Sequence, residues 1–227
     1  MRGLEKAGRL NRAVEFLPTD EELARRQTSG KGLTRPELAV LLAYSKLWLY
    51  DRLLPSDLSA DPALADELTG YFPPALQRGQ RVAIFRHRLK REIVATVVTN
   101  ALVNRMGPFF VEETIERTGR TPADIARAWI ASRDAFAMSG MWDVIEQLDN
   151  QLGTAAQTDM LRAIAAAGER IVRWILGHAG DHVDVAGTVA TLRAGVSELI
   201  DAAEDWLDDD SNAAAARRRA GLIASGV

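Results

Sequence analysis

The chain has no cysteine and only three histidines in 227 residues. Without thiols it cannot form disulfides, iron–sulfur clusters or cysteine-based zinc sites, and thiolate catalysis is excluded. Three imidazoles leave little material for acid–base chemistry, and no serine–histidine–aspartate arrangement stands out. The composition therefore favours a reducing compartment and a scaffold rather than a catalytic centre.

A long apolar run is also missing. The longest such stretch, within residues 38–50, is broken by Ser45 and Lys46 and falls short of a membrane span. The N-terminal sequence has neither the apolar core nor the cleavage pattern of a signal peptide. By elimination, the sequence predicts a cytoplasmic protein with no membrane partner.

The chain shows no excess of positive charge, because 28 Lys+Arg against 31 Asp+Glu give a net charge of −3. Nucleic-acid binding normally requires a basic field. The densest basic run, at residues 86–91, is followed by Glu92, and the spacing predicts an internal ion pair between Arg88 and Glu92. We therefore expect no nucleic-acid partner.

Helical periodicity dominates the sequence, and strand-like alternation is almost absent. Caps and first-turn prolines recur at the expected starts of helices. The predicted helices cover residues 3–16, 20–28, 34–54, 62–71, 80–106, 108–118, 122–137, 140–151, 154–176, 184–208 and 212–224. The fold class predicted is all-α, a multi-helix orthogonal or bundle-like domain.

The stretch GLTRPELAVLLAYSKL, residues 32–47, is the strongest helix signal. Thr34 and Glu37 have the spacing of a capping box, and Pro36 falls in the first turn, where a missing N–H costs nothing. The following residues are apolar almost all the way round. A helix without a polar face is expected at the centre of a larger assembly.

Beyond residue 153, apolar and small residues follow a heptad period within 154–176 and again within 184–208. The glycine-containing turn between them predicts a long antiparallel helical hairpin. We therefore expect three parts: N-terminal linking helices at 1–33, a helical core domain at 34–152, and the hairpin with its tail at 153–227.

A polar stripe lies in the predicted helix 80–106 and yields a candidate site. Its members are His87, Arg88, Arg91, Glu92, Asn100 and Asn104. Two interpretations stay open. The stripe forms a groove in which a guanidinium and amides hold a small carboxylate, or it ties neighbouring loops and helix ends by hydrogen bonds.

Two further patterns were weighed for metal chemistry. His178 and His182 lie in a glycine-rich turn, so their spacing does not place both on one helix face, and a solvated turn is expected. The run EDWLD at 204–208 resembles the magnesium–diphosphate motif of isoprenoid synthases, but the second acidic motif of those enzymes is missing. The sequence predicts no metal site, no cofactor site and no catalytic residue.

Several stretches together resemble the C-terminal helical region of the large bacterial NAD-specific glutamate dehydrogenases, closely from about residue 4 to 152 and more loosely beyond. They are LEKAGRLNRAVEFLPTDEELARR (4–26), GLTRPELAVLLAYSKL (32–47), YFPPAL (71–76), HRLKREIVATVVTNALVNRMG (87–107), ARAWIASRDAF (126–136) and WDVIEQLDN (142–150). The resemblance implies a parent enzyme that deaminates L-glutamate to 2-oxoglutarate with NAD. It also implies that the catalytic lysine and aspartate, the glutamate pocket and the nucleotide fold lie upstream.

On this interpretation the chain is a non-catalytic fragment, truncated at both ends, with a structural or oligomerisation role. Its expected partners are the catalytic domain of the same parent chain and further copies of itself, while NAD belongs to the parent. The alternative is a regulatory small-carboxylate-binding module at the polar stripe. An independent enzyme of the isoprenoid-synthase type is a third, weaker hypothesis.

Overall fold

The computed structural model describes residues 2–6 and 8–206, and all regular structure in that part of the chain is helical. The α-helices are α1 Arg2–Lys6, α2 Asp20–Thr28, α3 Arg35–Leu53, α4 Ala65–Gly70, α5 Pro74–Gly79, α6 Arg81–Phe85, α7 Lys90–Met106, α8 Phe110–Thr118, α9 Pro122–Ala135, α10 Met138–Gln147, α11 Thr154–His178 and α12 Val185–Trp206. Two short 3₁₀ helices, Leu58–Ala60 and Pro62–Leu64, separate α3 from α4. The predicted all-α class is confirmed.

The predicted start of α3 is confirmed in detail. The Thr34 N–H donates to Glu37 Oε2 at 2.6 Å, and the Glu37 N–H donates to Thr34 Oγ1 at 3.5 Å, which completes the capping box. Arg26 then binds both oxygens of Glu37, at 2.8 and 3.0 Å, and so joins α2 to α3. Within the described chain, however, α3 is not enclosed, because Leu38 and Leu47 are 52% and 55% exposed.

The enclosed helix is α9. Ile125, Ala126, Ala128, Ile130 and Ala131 have no exposed surface, and α9 packs against helices on all sides. Its alanines allow close approach by neighbouring backbones, since a methyl group adds little to the interaxial distance. The helix begins at Thr121, whose Oγ1 accepts a hydrogen bond from the Asp124 N–H at 3.1 Å.

Both long C-terminal helices, α11 and α12, make their main helix contacts with α9. His182 lies 3.1 Å from Asp124 at the start of α9, and Arg193 donates to the Asp134 carbonyl at its end. Thus α12 runs alongside α9 in the same direction. Gly168, predicted for the seam between α11 and α12, instead faces methionines of α7 and α10. The predicted hairpin is not confirmed.

The C-terminal end of α11 is held by an arginine from the α8–α9 loop. The Arg120 guanidinium donates to the carbonyls of Leu176, Ala179 and Gly180 at 2.9, 2.7 and 2.6 Å. These carbonyls carry the partial negative charge of the helix end, so a cation stabilises it.

One apolar core of the described chain runs from Leu49 to Val185. The division of the chain into three parts at residues 33 and 153 stays a prediction.

Two predicted helices are interrupted. The helix expected at 80–106 breaks at 86–89, where the Leu89 N–H donates to His87 Nδ1 at 3.2 Å. The helix expected at 3–16 ends at Lys6, because Gly8 and Phe16 take left-handed conformations with φ of 67° and 52°. The predicted helix 212–224 lies outside the described residues.

Among the described helices, none combines the length and the hydropathy that crossing a bilayer demands.

We expect Ile125→Ala to lower the free energy of unfolding by about 3 kcal/mol, because the lost methyl groups leave a cavity against α11 and α12. Val14→Ala is the matched control: Val14 is 65% exposed, so its truncation should cost less than about 0.5 kcal/mol. Urea unfolding followed by circular dichroism measures both. Equal losses would show that α9 is not the centre of the core.

Candidate functional site

The break before α7 divides the predicted polar stripe. His87 and Arg88 lie in the turn, whereas Arg91, Glu92, Asn100 and Asn104 lie on α7. Arg88, Arg91 and Asn104 are exposed, and the other three are half-buried. Arg91 donates to the carbonyl of Leu54 at 2.9 Å and so links α7 to the end of α3. This contact fits the second interpretation, a stripe that ties helix ends, and the groove stays a prediction.

The ion pair predicted between Arg88 and Glu92 does not form in the structure. Arg88 is no longer on the same helix as Glu92, so the i,i+4 geometry is lost. Glu92 Oε2 is buried without a hydrogen bond. The basic run at 86–91 therefore keeps its positive charge, contrary to the expectation from spacing.

The most elaborate polar cluster of the described chain surrounds Arg127 of α9, and sequence reasoning missed it. The Arg127 side chain is only 5% exposed. Its Nη2 donates to Asp57 Oδ1 at 2.6 Å, and its Nε donates to Asp61 Oδ2 at 3.2 Å. Asp124 Oδ1 lies 3.6 Å from Nη1, which is buried without a hydrogen bond. One cation therefore serves three carboxylates.

His182 completes this Arg127 cluster from the loop before α12. Its Nδ1 lies 3.1 Å from Asp124, and its Nε2 lies 3.6 Å from Asp57. The His182 side chain is 68% exposed, as expected for a turn, but its imidazole also contacts these two carboxylates. The Thr121 hydroxyl donates to the other oxygen of Asp124 at 2.7 Å. The long-range contacts of the cluster join residues at least 58 apart in sequence, so no local pattern indicated them.

The charges of the cluster stabilise one another. A hydrogen bond from Arg127 holds the pKa of Asp57 below its ordinary value. Burial lowers the pKa of Arg127, but its hydrogen bonds to Asp57 and Asp61 outweigh that effect and raise it. The adjoining cleft of about 350 Å³ is lined by these groups and by His182. Every member of the cluster contacts another member. The arrangement therefore suits a structural connection between segments better than acid–base catalysis.

A second, larger cavity of about 570 Å³ lies between the N-terminal segment, α3 and the start of α8. Trp48 and Phe109 supply its aromatic walls, and the Arg52 guanidinium lies 4.0 Å from the centroid of the Trp48 ring. Burial and the nearby charge of Arg9 lower the pKa of Arg52. Arg9 in turn pairs with Asp51. The walls are apolar and the rim is charged, and the Ser45 hydroxyl that lines the cavity donates to the Leu42 carbonyl at 2.8 Å.

Among the described residues, no three or more histidine, aspartate or glutamate side chains converge in a way that could hold a metal ion.

We expect Arg127→Met to lower the free energy of unfolding by about 3 kcal/mol at pH 7, since it leaves Asp124 buried without a cation. Arg127 also lowers the pKa of Asp57 in the folded protein. A carboxylate whose pKa is lowered on folding stabilises the fold above its unfolded pKa, roughly 3.9, and loses that contribution as the pH falls. The difference in free energy of unfolding between wild type and Arg127→Met should therefore become smaller below about pH 4.

Arg162→Met is the matched control, because Arg162 and Asp159 form an ion pair in which both side chains are 75% exposed. It should change stability by less than about 0.5 kcal/mol at either pH. Urea unfolding at pH 7 and near pH 3 measures both variants. A loss for Arg127→Met that is independent of pH would contradict the electrostatic account.

Comparison with known proteins agrees with the resemblance found in the sequence. The family model described as "Glutamate dehydrogenase, C-terminal" matches residues 30–227. Three proteins named NAD-specific glutamate dehydrogenase are similar. Those of Halomonas elongata and Pseudomonas aeruginosa are each 43% identical, over 76% and 84% of this chain. That of Mycobacterium tuberculosis is 34% identical over 96% of this chain.

The matched part covers 11%, 12% and 13% of these three relatives, so the chain spans only about an eighth of their length. The match with the family model includes α3 and all described helices that follow it. This chain belongs to the glutamate dehydrogenase C-terminal family.

Proposed function

We propose that the chain is a non-catalytic helical domain of an NAD-dependent glutamate dehydrogenase. The parent enzyme would convert L-glutamate, NAD and water to 2-oxoglutarate, ammonium and NADH. Family membership and the names of the relatives support this proposal. The cysteine-free sequence and the absence of a membrane-spanning segment among the described helices are compatible with a cytoplasmic enzyme.

The described residues do not fit the cofactor of the parent. A dinucleotide is held where a parallel strand enters a glycine-rich turn at a helix N-terminus. The part of the chain that the structure describes has helices only, so it offers no such turn. We therefore assign NAD binding and hydride transfer to other segments of the parent chain.

The observation that carries a structural role is an apolar surface on α3, here called the α3 surface. It consists of Leu41, Leu47 and Trp48 with Leu4 and Phe109, which together line two adjoining cavities. Leu47 and Phe109 are 55% and 56% exposed. A contiguous exposed apolar patch usually marks an interaction site.

The occupant we propose for the α3 surface is the catalytic region of the same parent chain. The relatives contain nearly nine-tenths of their length outside the matched segment, so a covering segment is available there. Dehydrogenase turnover depends on the opening and closing of a cleft. A rigid helical domain docked through an apolar face would brace that movement without supplying a titratable group.

The α3 surface is tested in the full-length parent enzyme with Leu47→Glu combined with Phe109→Glu. Two carboxylates would have to be desolvated on docking, so we expect lower thermal stability and faster hydrogen exchange in the contacting catalytic region. Met160→Glu is the control, since Met160 is 41% exposed on α11. Unchanged exchange outside this domain would contradict the docking. Separately, glutamate-dependent NAD reduction by the 227-residue chain alone would contradict a non-catalytic role.

The rival function is regulatory binding of a small carboxylate near His87, Arg91, Asn100 and Asn104. We expect titration calorimetry with glutamate and 2-oxoglutarate at millimolar concentration to give no saturable heat, because Arg91 already donates to the Leu54 carbonyl. Saturable heat that disappears in Arg91→Met would favour the regulatory module over the brace.

A further inference from the structure

A dense positive charge occupies residues 78–91, here called the basic surface. Its six cations are Arg78, Arg81, Arg86, Arg88, Lys90 and Arg91, and no acidic residue lies between them. Five are exposed and Lys90 is half-buried. In the described chain, none of the six forms an ion pair with a carboxylate. The surface therefore carries about six uncompensated charges.

The basic surface is unusual within this molecule. Elsewhere several arginines that join segments are neutralised, as Arg26 is by Glu37, Arg105 by Glu146 and Arg133 by Glu67. Like charges crowded together repel one another, so an unneutralised cluster in a chain of net charge −3 indicates a partner of opposite sign.

Apolar side chains interrupt these cations. Leu76, Val82 and Leu89 are 44%, 68% and 47% exposed on the same short stretch of chain. An interface core is normally apolar, with charges around it. The matching partner should therefore combine carboxylates with one or two large apolar residues.

The sequence of residues 201–210 has that composition. It contains six acidic residues and no basic one, together with Trp206 and Leu207. The two stretches thus carry formal charges of +6 and −6. The remaining 203 residues account for the net charge of −3.

Residues 201–206 form the last part of α12. Arg193 contacts the Asp134 carbonyl, one residue before α9 ends. Residues 194–206 therefore continue α12 past the end of α9, for about 20 Å at 1.5 Å per residue. Among the α12 residues whose side chains the structure describes, Val189 and Leu192 pack against the core beside the buried Val185.

We propose that the basic surface of one copy binds residues 201–210 of a second copy of this chain. This inference goes beyond the proposed brace, because it adds a contact between copies of the chain. Among the described residues, no basic-surface residue pairs with a carboxylate, so these charges are available to the acidic stretch of another copy. In a two-fold symmetric pair the contact forms twice, since each copy carries both stretches.

The test uses charge reversal in the 227-residue chain. One variant combines Arg81→Glu, Arg86→Glu and Arg88→Glu; the other combines Asp208→Lys, Asp209→Lys and Asp210→Lys. Sedimentation velocity should show that wild type self-associates, that salt raised from about 0.05 M to about 0.5 M dissociates it, and that each variant alone weakens association about tenfold or more. A 1:1 mixture of the two variants should associate again, because each mixed pair keeps one wild-type contact, between the basic surface of the second variant and residues 201–210 of the first.

The control combines Lys31→Glu, Arg35→Glu and Arg170→Glu. These three cations are exposed, lie outside the basic surface and form no ion pair with a described residue. It should associate as wild type does. A monomeric wild type at about 100 μM, or variants that associate normally, would overturn the inference. A further chain carries both sets of substitutions. If it is more stable than a chain with either set alone, while the 1:1 mixture does not associate, the contact lies within one chain and the inference is overturned.

Binding of the basic surface to single-stranded RNA or to phosphatidylserine vesicles, without self-association, would also overturn it. None of these variants alters the α3 surface. Failure here would therefore leave the proposed brace standing, and failure of the brace would leave this contact standing.

Discussion

The whole arrangement depends on the burial of α9 on every side. A helix that has no solvent face must satisfy its backbone internally and pack its side chains against several neighbours at once. The sequence of α9 meets this demand with alanines and isoleucines, and with Trp129 as its largest fully buried side chain. Because α11 and α12 both rest on α9, the C-terminal half of the chain owes its position to this one helix.

Charges on and around α9 fix how the surrounding segments attach. Arg127 holds the 3₁₀ segment that precedes α4, and Arg133 binds Glu67 of α4 at 2.6 Å. The Trp129 ring lies 5.3 Å from the Arg133 guanidinium. The apolar core is non-directional, so it does not by itself decide the register of its parts. Directed guanidinium–carboxylate contacts do, since each accepts only a narrow range of geometry.

Local signals allowed accurate prediction of some elements. The boundaries of α2 and the start of α9 were predicted to the residue, and the start of α3 to within one residue, because caps at Thr19, Thr34 and Thr121 act over three or four positions. Residues 86–89 contain no glycine or proline, so no local signal predicted the break in the helix expected at 80–106. The heptads beyond residue 153 indicated apolar stripes, but a stripe does not specify its partner, and the described parts of α11 and α12 make their main helix contacts with α9. The Arg127 cluster depends on contacts between residues at least 58 positions apart, which spacing arguments do not detect.

The long reach of the Arg127 cluster has a consequence for a protein without cysteine. Its contacts from Arg127 to Asp57 and Asp61, and from His182 to Asp124, each close a loop of roughly sixty residues or more, the span over which a covalent bridge would restrict the unfolded ensemble most. Here the bridges are ionic and reversible. The long-range ties of this fold therefore respond to protons and to dissolved electrolyte, and they are indifferent to oxidants and reductants.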